Sequence, residues 1–317
     1  MAHKPDTPPP SKQKIIIIAG PTAAGKTVCA LDLAASFCGE IVNCDSRQVY
    51  KFMDIGTAKP DTAQLLAVPH HMINVVEPSV RFSSAQYVTM ADACIHQIIR
   101  EGHVPFVTGG TGFYIKALLH GLVPLPPLDQ AIRDSVRQQQ KLYGNDALYE
   151  RLRQVDPVDA AHIKKSDSYR LIRALEVFTA TGRPLYEFME QHGFSGTNYD
   201  YVYVVLYNPD KQQYHTVIDK RVDKMLADGL IDEVKLLIDK GYDQDLPAMK
   251  TVGYAEIVDY LNKKTNLADA VDLIKRHTKA YAKRQITWFK GIKDALWIEM
   301  NDRNDRLSKI IEKALYA

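Results

Sequence analysis

Four consecutive isoleucines, Ile15 to Ile18, run through Ala19 directly into Gly20-Pro-Thr-Ala-Ala-Gly-Lys-Thr27. A run that is β-branched on both faces suits a strand covered on both sides, as in a parallel sheet. The eight residues after it match G-x-x-x-x-G-K-[ST] without a mismatch. In that pattern the two glycines let backbone N–H groups turn inward around a phosphate, the lysine adds a point charge and the hydroxyl residue binds Mg²⁺. The loop also opens a helix, whose N-terminus favours an anion. Gly20, Pro21, Thr22, Ala23, Ala24, Gly25, Lys26 and Thr27 are therefore the expected cradle for a di- or triphosphate, with Thr27 the expected metal ligand and Mg²⁺ the expected cofactor. A chain that begins this way is committed to strand, loop, helix.

The following segments repeat that grammar. A helix is expected over 27–37, a short strand at Glu40-Ile-Val-Asn-Cys-Asp45, a helix over 82–100, and a buried strand at Val104-Pro-Phe-Val-Thr108 ending in Gly109-Gly110. The predicted fold class is α/β, a P-loop doubly wound parallel sheet with a helical insertion domain. After Gly121 the prolines 124, 126 and 127 mark a hinge-like segment, residues 129–190 read as almost wholly helical, and Tyr201-Val-Tyr-Val-Val-Leu206 brings back a strand. The expected division is a disordered, proline-rich tail over 1–12, a core formed by 13–125 and 198–317 with C-terminal helices, and an insertion over 126–197. A length of 317 residues accommodates such a domain with an insertion.

Hydrophobic residues at 46% and charged residues at 25% exclude a disordered or fibrous chain. The apolar stretch near the start is far too short for a membrane span or a signal core. Cys29, Cys38, Cys44 and Cys94 show no C-x-x-C spacing and read as buried thiols of a cytosolic protein. A cytoplasmic, soluble monomer without a membrane partner is expected. The net charge is only +2, so a polyanionic partner must be met by a local patch.

One such patch lies near the end. Lys275, Arg276, Lys279, Lys283, Arg284 and Lys290 are interleaved with Tyr281, Trp288 and Phe289, with no acid between 275 and 290. Basic plus aromatic is the footprint of loop-RNA recognition. The same pattern also describes a helix with a solvated basic face over a core stripe of Val271, Ile274, Tyr281 and Phe289. A second open question is the acid that helps to hold Mg²⁺. The strand 104–108 ends without a carboxylate, and the nearest candidate is Asp45 at the end of another strand, where such sheets gather their ligands. Asp45 also reads as a helix N-cap. There is no N-K-x-D run for guanine, which argues against a GTPase switch.

Several segments together resemble the tRNA dimethylallyltransferases (tRNA isopentenyltransferases). They are Gly20 to Thr27, Asp45-Ser-Arg-Gln-Val-Tyr-Lys-Phe-Met-Asp-Ile-Gly-Thr-Ala-Lys-Pro60, Pro69-His-His-Met72, Gly109-Gly-Thr-Gly-Phe-Tyr114, Arg173-Ala-Leu-Glu-Val177, Val252-Gly-Tyr254 and Lys283-Arg-Gln-Ile-Thr-Trp288. They occur in the family's order, and the 45–60 stretch is the most specific. The chain has no Cys or His after His277, so it resembles the bacterial form, which lacks a C-terminal zinc finger. The resemblance implies transfer of a dimethylallyl group from dimethylallyl diphosphate to N6 of the adenine at tRNA position 37, beside the anticodon. It makes Asp45 the general base, Arg221 a further diphosphate ligand and Thr111 a residue of the passage where donor and base meet. It also implies tRNA contacts from Asp45, Ser46, Arg47, Gln48 and Thr111, from Arg133, Tyr169, Arg170 and Arg173 in the insertion, and from Lys283 and Arg284. His70 and His71 match a family motif but show no carboxylate partner in the sequence, and are read as structural. The competing readings are a P-loop small-molecule kinase, a transferase that prenylates free AMP, and a non-enzymatic RNA-binding module.

Overall fold

The structure is a computed structural model that describes residues 13–194, 196–300 and 304–316; the expected tail over 1–12 lies outside them. The chain forms two compact units. One comprises the described residues up to Leu119 and those from Asn198 onward, and the other is His120–Thr197. The first unit begins with β1 (Lys14–Ala19), α1 (Lys26–Ser36), β2 (Gly39–Asn43), α2 (Thr62–Ala67), β3 (His70–His71), α3 (Ser84–Arg100), β4 (Val104–Gly109) and α4 (Gly112–His120). The second holds α5 (Gln130–Val155), α6 (Pro157–His162), α7 (Ser168–Thr181) and α8 (Leu185–His192). The chain then returns to the first unit through β5 (Asp200–Tyr207), α9 (Lys211–Ala227), α10 (Leu230–Asp239), α11 (Tyr254–Leu261), α12 (Leu267–Phe289), β6 (Leu296–Glu299) and α13 (Asn304–Tyr316).

The strands form one parallel sheet in the order β3-β2-β4-β1-β5-β6. The isoleucine run explains why β1 lies centrally. Ile15 and Ile17 enter a core with Tyr87, Ile95 and Leu118, while Ile16 and Ile18 enter the opposite core with Ala30, Leu33 and Phe106. All four are fully buried, and each such side chain contributes roughly 1.5–3 kcal/mol of burial. Helices therefore cover both faces, and the α/β class expected from the sequence is the one observed.

The chain leaves β1 toward β2 on one side, and β5 adds on the other. The carboxyl ends of β1, β2 and β4 thus open onto a topological switch point. Backbones approach closely there: a Cβ on Gly109 would stand 2.0 Å from the Cys44 carbonyl oxygen, and one on Gly20 would stand 2.5 Å from that of Leu206. Against this end pack α9 to α12, whose Val222, Leu230, Tyr254 and Ile274 share a third core with Val49 and Met53.

The second unit closes on Val136, Leu148, Leu152, Leu171 and Leu175. Its helices are more broken than the sequence reading suggests, because local signals stop them. Gly144 at φ 76° interrupts α5, Asp156 caps α6 ahead of Pro157, and Gly182 ends α7 in the left-handed region. None of the four cysteines forms a disulfide. Cys29 and Cys44 are buried and Cys94 is half-buried, but Cys38 is exposed, since it occupies the positive-φ turn between α1 and β2. Among the described residues no helix is long and apolar enough to cross a membrane.

Candidate active site

The 20–27 loop leaves β1 and opens α1, as the motif requires. Ala23 and Gly25 adopt φ 61° and 71°, which turns the backbone back on itself, and Gly25 stands immediately before the first helical residue, Lys26. No side chain caps α1, so its first N–H groups are left for a ligand. The Lys26 ammonium donates to the Pro21 carbonyl at 2.7 Å. Burial pushes its pKa down to about 8; Asp45 pulls it back up and Arg221 pushes it further down. A lysine and an arginine close together and poorly solvated are a charge arrangement that an anion would relieve.

Thr22, Lys26, Thr27, Asp45 and Arg221 all line one cavity of about 390 Å³, within the usual range for small-ligand sites. Arg221 comes from α9, and burial lowers its pKa while Asp45 opposes the shift. Ile41, Ile73, Val222, Val252 and Ile274 give the same cavity apolar wall. Three buried polar atoms on its lining residues, His70 Nε2, Thr108 Oγ1 and Thr251 Oγ1, have no hydrogen-bond partner among the described residues.

Asp45 caps the start of a turn, not of the helix that its sequence position suggested. Its Oδ1 accepts from the Arg47 amide at 2.8 Å and from the Gln48 amide at 3.4 Å, while the residue lines the cavity. Thr111 is not among the lining residues: its hydroxyl accepts the Ser46 amide at 2.9 Å and its own amide donates to Cys44 O. It braces the Asp45 turn from behind. Arg47 and Gln48 line the cavity, and the Gln48 side-chain Nε2 donates to the carbonyls of Thr57 and Ala58 at 3.1 and 3.0 Å.

Two residues that sequence reasoning did not single out hold this assembly. Gln285 of α12 accepts the Thr22 amide at 2.8 Å and donates to the Gly110 carbonyl at 2.9 Å, tying the phosphate loop to the end of β4. Its signal was a lone polar residue on the buried stripe of Ala282 and Phe289. Glu233 of α10 accepts the amides of Asp54, Ile55 and Gly56 at 2.8, 2.7 and 3.1 Å, and the Tyr254 hydroxyl at 2.5 Å. That clamp fixes the wall of Gly56, Thr57 and Ala58.

The two basic readings of α12 divide between residues. Lys275 and Lys279 pair with Asp223 and Asp219 of α9, each at 2.6 Å, and Phe289 is core. Lys283 and Arg284 are exposed, carry no salt bridge among the described residues, and Arg284 reaches the cavity lining. In the second unit Tyr169 is 80% exposed. Arg170 lies beside Asp167 and Arg173 beside Glu176, both at 3.4 Å, and Arg133 has a buried Nε without a hydrogen-bond partner among the described residues. His71 does have the carboxylate partner that the sequence did not reveal: its Nε2 lies 2.6 Å from Glu40.

For a divalent cation the cavity offers the Thr27 hydroxyl among its oxygen donors, with Asp45 the one carboxylate among the lining residues, and a hydroxyl together with diphosphate oxygens suits Mg²⁺.

The family model described as IPP transferase matches residues 48–292. The chain is 46% identical over 288 residues to tRNA dimethylallyltransferase 2 of Geotalea daltonii, covering 91% of this chain and 88% of that one. To the tRNA dimethylallyltransferase of Geobacter sulfurreducens it is 43% identical, covering 96% and 97%. Among solved structures it is similar to the full-length tRNA isopentenylpyrophosphate transferase of Bacillus halodurans, with a TM-score of 0.70, 36% identity and 96% of both chains covered. It is also similar to a eukaryotic dimethylallyltransferase solved acting on tRNA, with a TM-score of 0.79, 28% identity, and 96% of this chain and 78% of that one covered.

Proposed function

The chain belongs to the IPP transferase family, and we propose that it transfers a dimethylallyl group from dimethylallyl diphosphate to N6 of adenine 37 in tRNA, releasing diphosphate. The observation that carries this reading is the meeting of Lys26, Thr27, Arg221 and Asp45 at one cavity with both charged and apolar wall. The loop amides, Lys26 and Arg221 hold the diphosphate, and Mg²⁺ held at Thr27 would supply further neutralisation of its charge. As the allylic C–O bond breaks, its electron pair leaves with the diphosphate, whose growing charge these groups stabilise. The adenine N6 forms the new C–N bond and loses a proton to Asp45. Oδ2 of Asp45 is suited to accept it, because only Oδ1 is engaged by protein amides among the described residues.

An adenine beside the anticodon must leave its stack to reach such a site, at a cost of a few kcal/mol. Exposed Tyr169, Lys283 and Arg284 are of the kind that offset it by stacking and phosphate contact. We place the protein in the cytoplasm as a monomer. A kinase reading lacks a carboxylate at the end of β4, and prenylation of free AMP leaves the 120–197 unit without a use. Mass spectrometry of nucleosides from tRNA incubated with the protein, Mg²⁺ and dimethylallyl diphosphate is expected to show N6-dimethylallyladenosine at position 37. Unmodified tRNA, with added AMP prenylated in a parallel incubation, would overturn the assignment.

Neutralising Lys283 and Arg284 together should weaken tRNA binding and reduce the slope of log K against log salt by roughly 1–2, as fewer counterions are released. Filter binding across a salt series measures this. An unchanged slope would return both residues to the role of a solvated helix face.

A further inference from the structure

Glu40 stands at the start of β2, the far end of that strand from Asp45, and is only 6% exposed. A buried carboxylate is costly unless it is paired, and this one is approached from two sides. His71 Nε2 lies 2.6 Å from its Oε2, and His103 Nδ1 lies 2.5 Å from its Oε1. His103 precedes β4, and the turn at Gly102 (φ 81°) joins it to Glu101 at the end of α3. A ligand atom from each of Glu40, Glu101 and His103 falls within 4.8 Å of the other two. The mechanism proposed above uses none of these residues.

We propose that Glu40, Glu101 and His103 form a binding site for one divalent transition-metal ion, with Zn²⁺ the best match. One imidazole and two carboxylates are a three-ligand set that leaves a fourth position for water, the usual form of an open zinc site. An imidazole donor favours zinc, copper or nickel over Mg²⁺, which prefers an all-oxygen octahedron. Binding requires movement of two side chains: Glu101, whose ligand atom lies within 4.8 Å of the other two, must close by up to about 1.5 Å, and its exposed side chain can do so. Ligand atoms about 2.0–2.1 Å from a tetrahedral ion stand roughly 3.3 Å apart, so the Glu40–His103 contact must open by roughly 0.8 Å. The exposed His103 ring can give that movement.

The surroundings also fit. His71 grips the second oxygen of Glu40 and is itself held by a hydrogen bond to the Cys94 sulfur, while Gln97 donates to Glu101 Oε1 at 3.0 Å. Outer contacts of this kind orient metal-binding side chains and raise affinity. Exposure of Glu101 and His103 provides an entry path. An ion here would join β2 to the α3–β4 turn, a structural clip separate from the phosphate cavity.

The test uses the full chain stripped with a chelator and titrated with Zn²⁺ against a chromophoric chelator, with thermal melting alongside. His103→Ala and Glu101→Gln alter exposed side chains, so both variants should fold. The expected result is one saturable site whose affinity falls at least tenfold in each variant, a zinc-dependent rise in Tm that both variants lose, and no displacement by millimolar Mg²⁺. Absence of saturable zinc binding, equal affinity in the variants, or displacement by Mg²⁺ would each overturn the proposal. The cluster would then be only a paired buried carboxylate.

Discussion

Asp45→Asn should lower turnover by roughly two to four orders of magnitude while leaving tRNA affinity nearly unchanged. Asparagine is the informative replacement because Asp45 has two tasks. Oδ1 caps the turn through the Arg47 and Gln48 amides, and an asparagine carbonyl keeps that acceptor. What is lost is a proton acceptor for N6 and one negative charge beside Lys26 and Arg221. Both cations have pKa values that Asp45 raises. Without it the Lys26 pKa should fall below its present value of about 8, so the variant's residual activity should decline from a lower pH than in the parent. Single-turnover rates with prebound tRNA, measured across pH, separate the two effects. A variant that keeps most of its single-turnover rate would make Asp45 a cap alone.

What the sequence disclosed, and what it withheld, follows from the range of the interactions. β1, the 20–27 loop and α1 are legible because strand pattern, glycine spacing and helix start lie within two dozen residues and reinforce one another. The 45–60 segment was legible as a motif but not as a structure. Its shape depends on Glu233, which collects three of its backbone amides from a distant helix, and on Lys59, whose side chain is almost fully buried against Tyr50 O, Asp54 and Asn74. Nothing local marks Glu233 as a buried acid, since Asp232 beside it is also an acid in the first turn of α10.

The basic segment changes its meaning in space. It carries no acid in sequence, but α9 supplies Asp219 and Asp223 in space to Lys275 and Lys279, while Arg276, Lys283, Arg284 and Lys290 stay exposed without a salt bridge among the described residues and Arg284 reaches the cavity. Gln285, between a solvent-facing Arg284 and a core stripe, ties the phosphate loop to β4. The segment that looked like an RNA footprint is thus also a structural strut of the cavity.

Lys26→Ala should reduce kcat/KM for the prenyl donor by roughly 10²–10³, the usual loss when one group that stabilises developing charge is removed. The reason lies in the site's electrostatics. Burial already pushes Lys26 down to about 8 with Arg221 adding to the shift, so the cation is held at a cost that a bound diphosphate offsets. The sign of the pH effect follows. The diphosphate binds the protonated lysine, so donor affinity in the parent should weaken as pH rises past about 8, and Lys26→Ala should lose that pH-dependent step. Phosphoryl transfer would use the same lysine, so the decisive comparison adds ATP. Prenyl transfer needs a diphosphate held while its C–O bond breaks, whereas phosphoryl transfer needs an in-line acceptor and a γ-phosphate clamp. Assays following phosphate, diphosphate and ADP should show diphosphate released in step with tRNA modification, with ATP neither required nor hydrolysed. Strict ATP dependence with stoichiometric ADP would reassign Lys26, Thr27 and Arg221 to a kinase site.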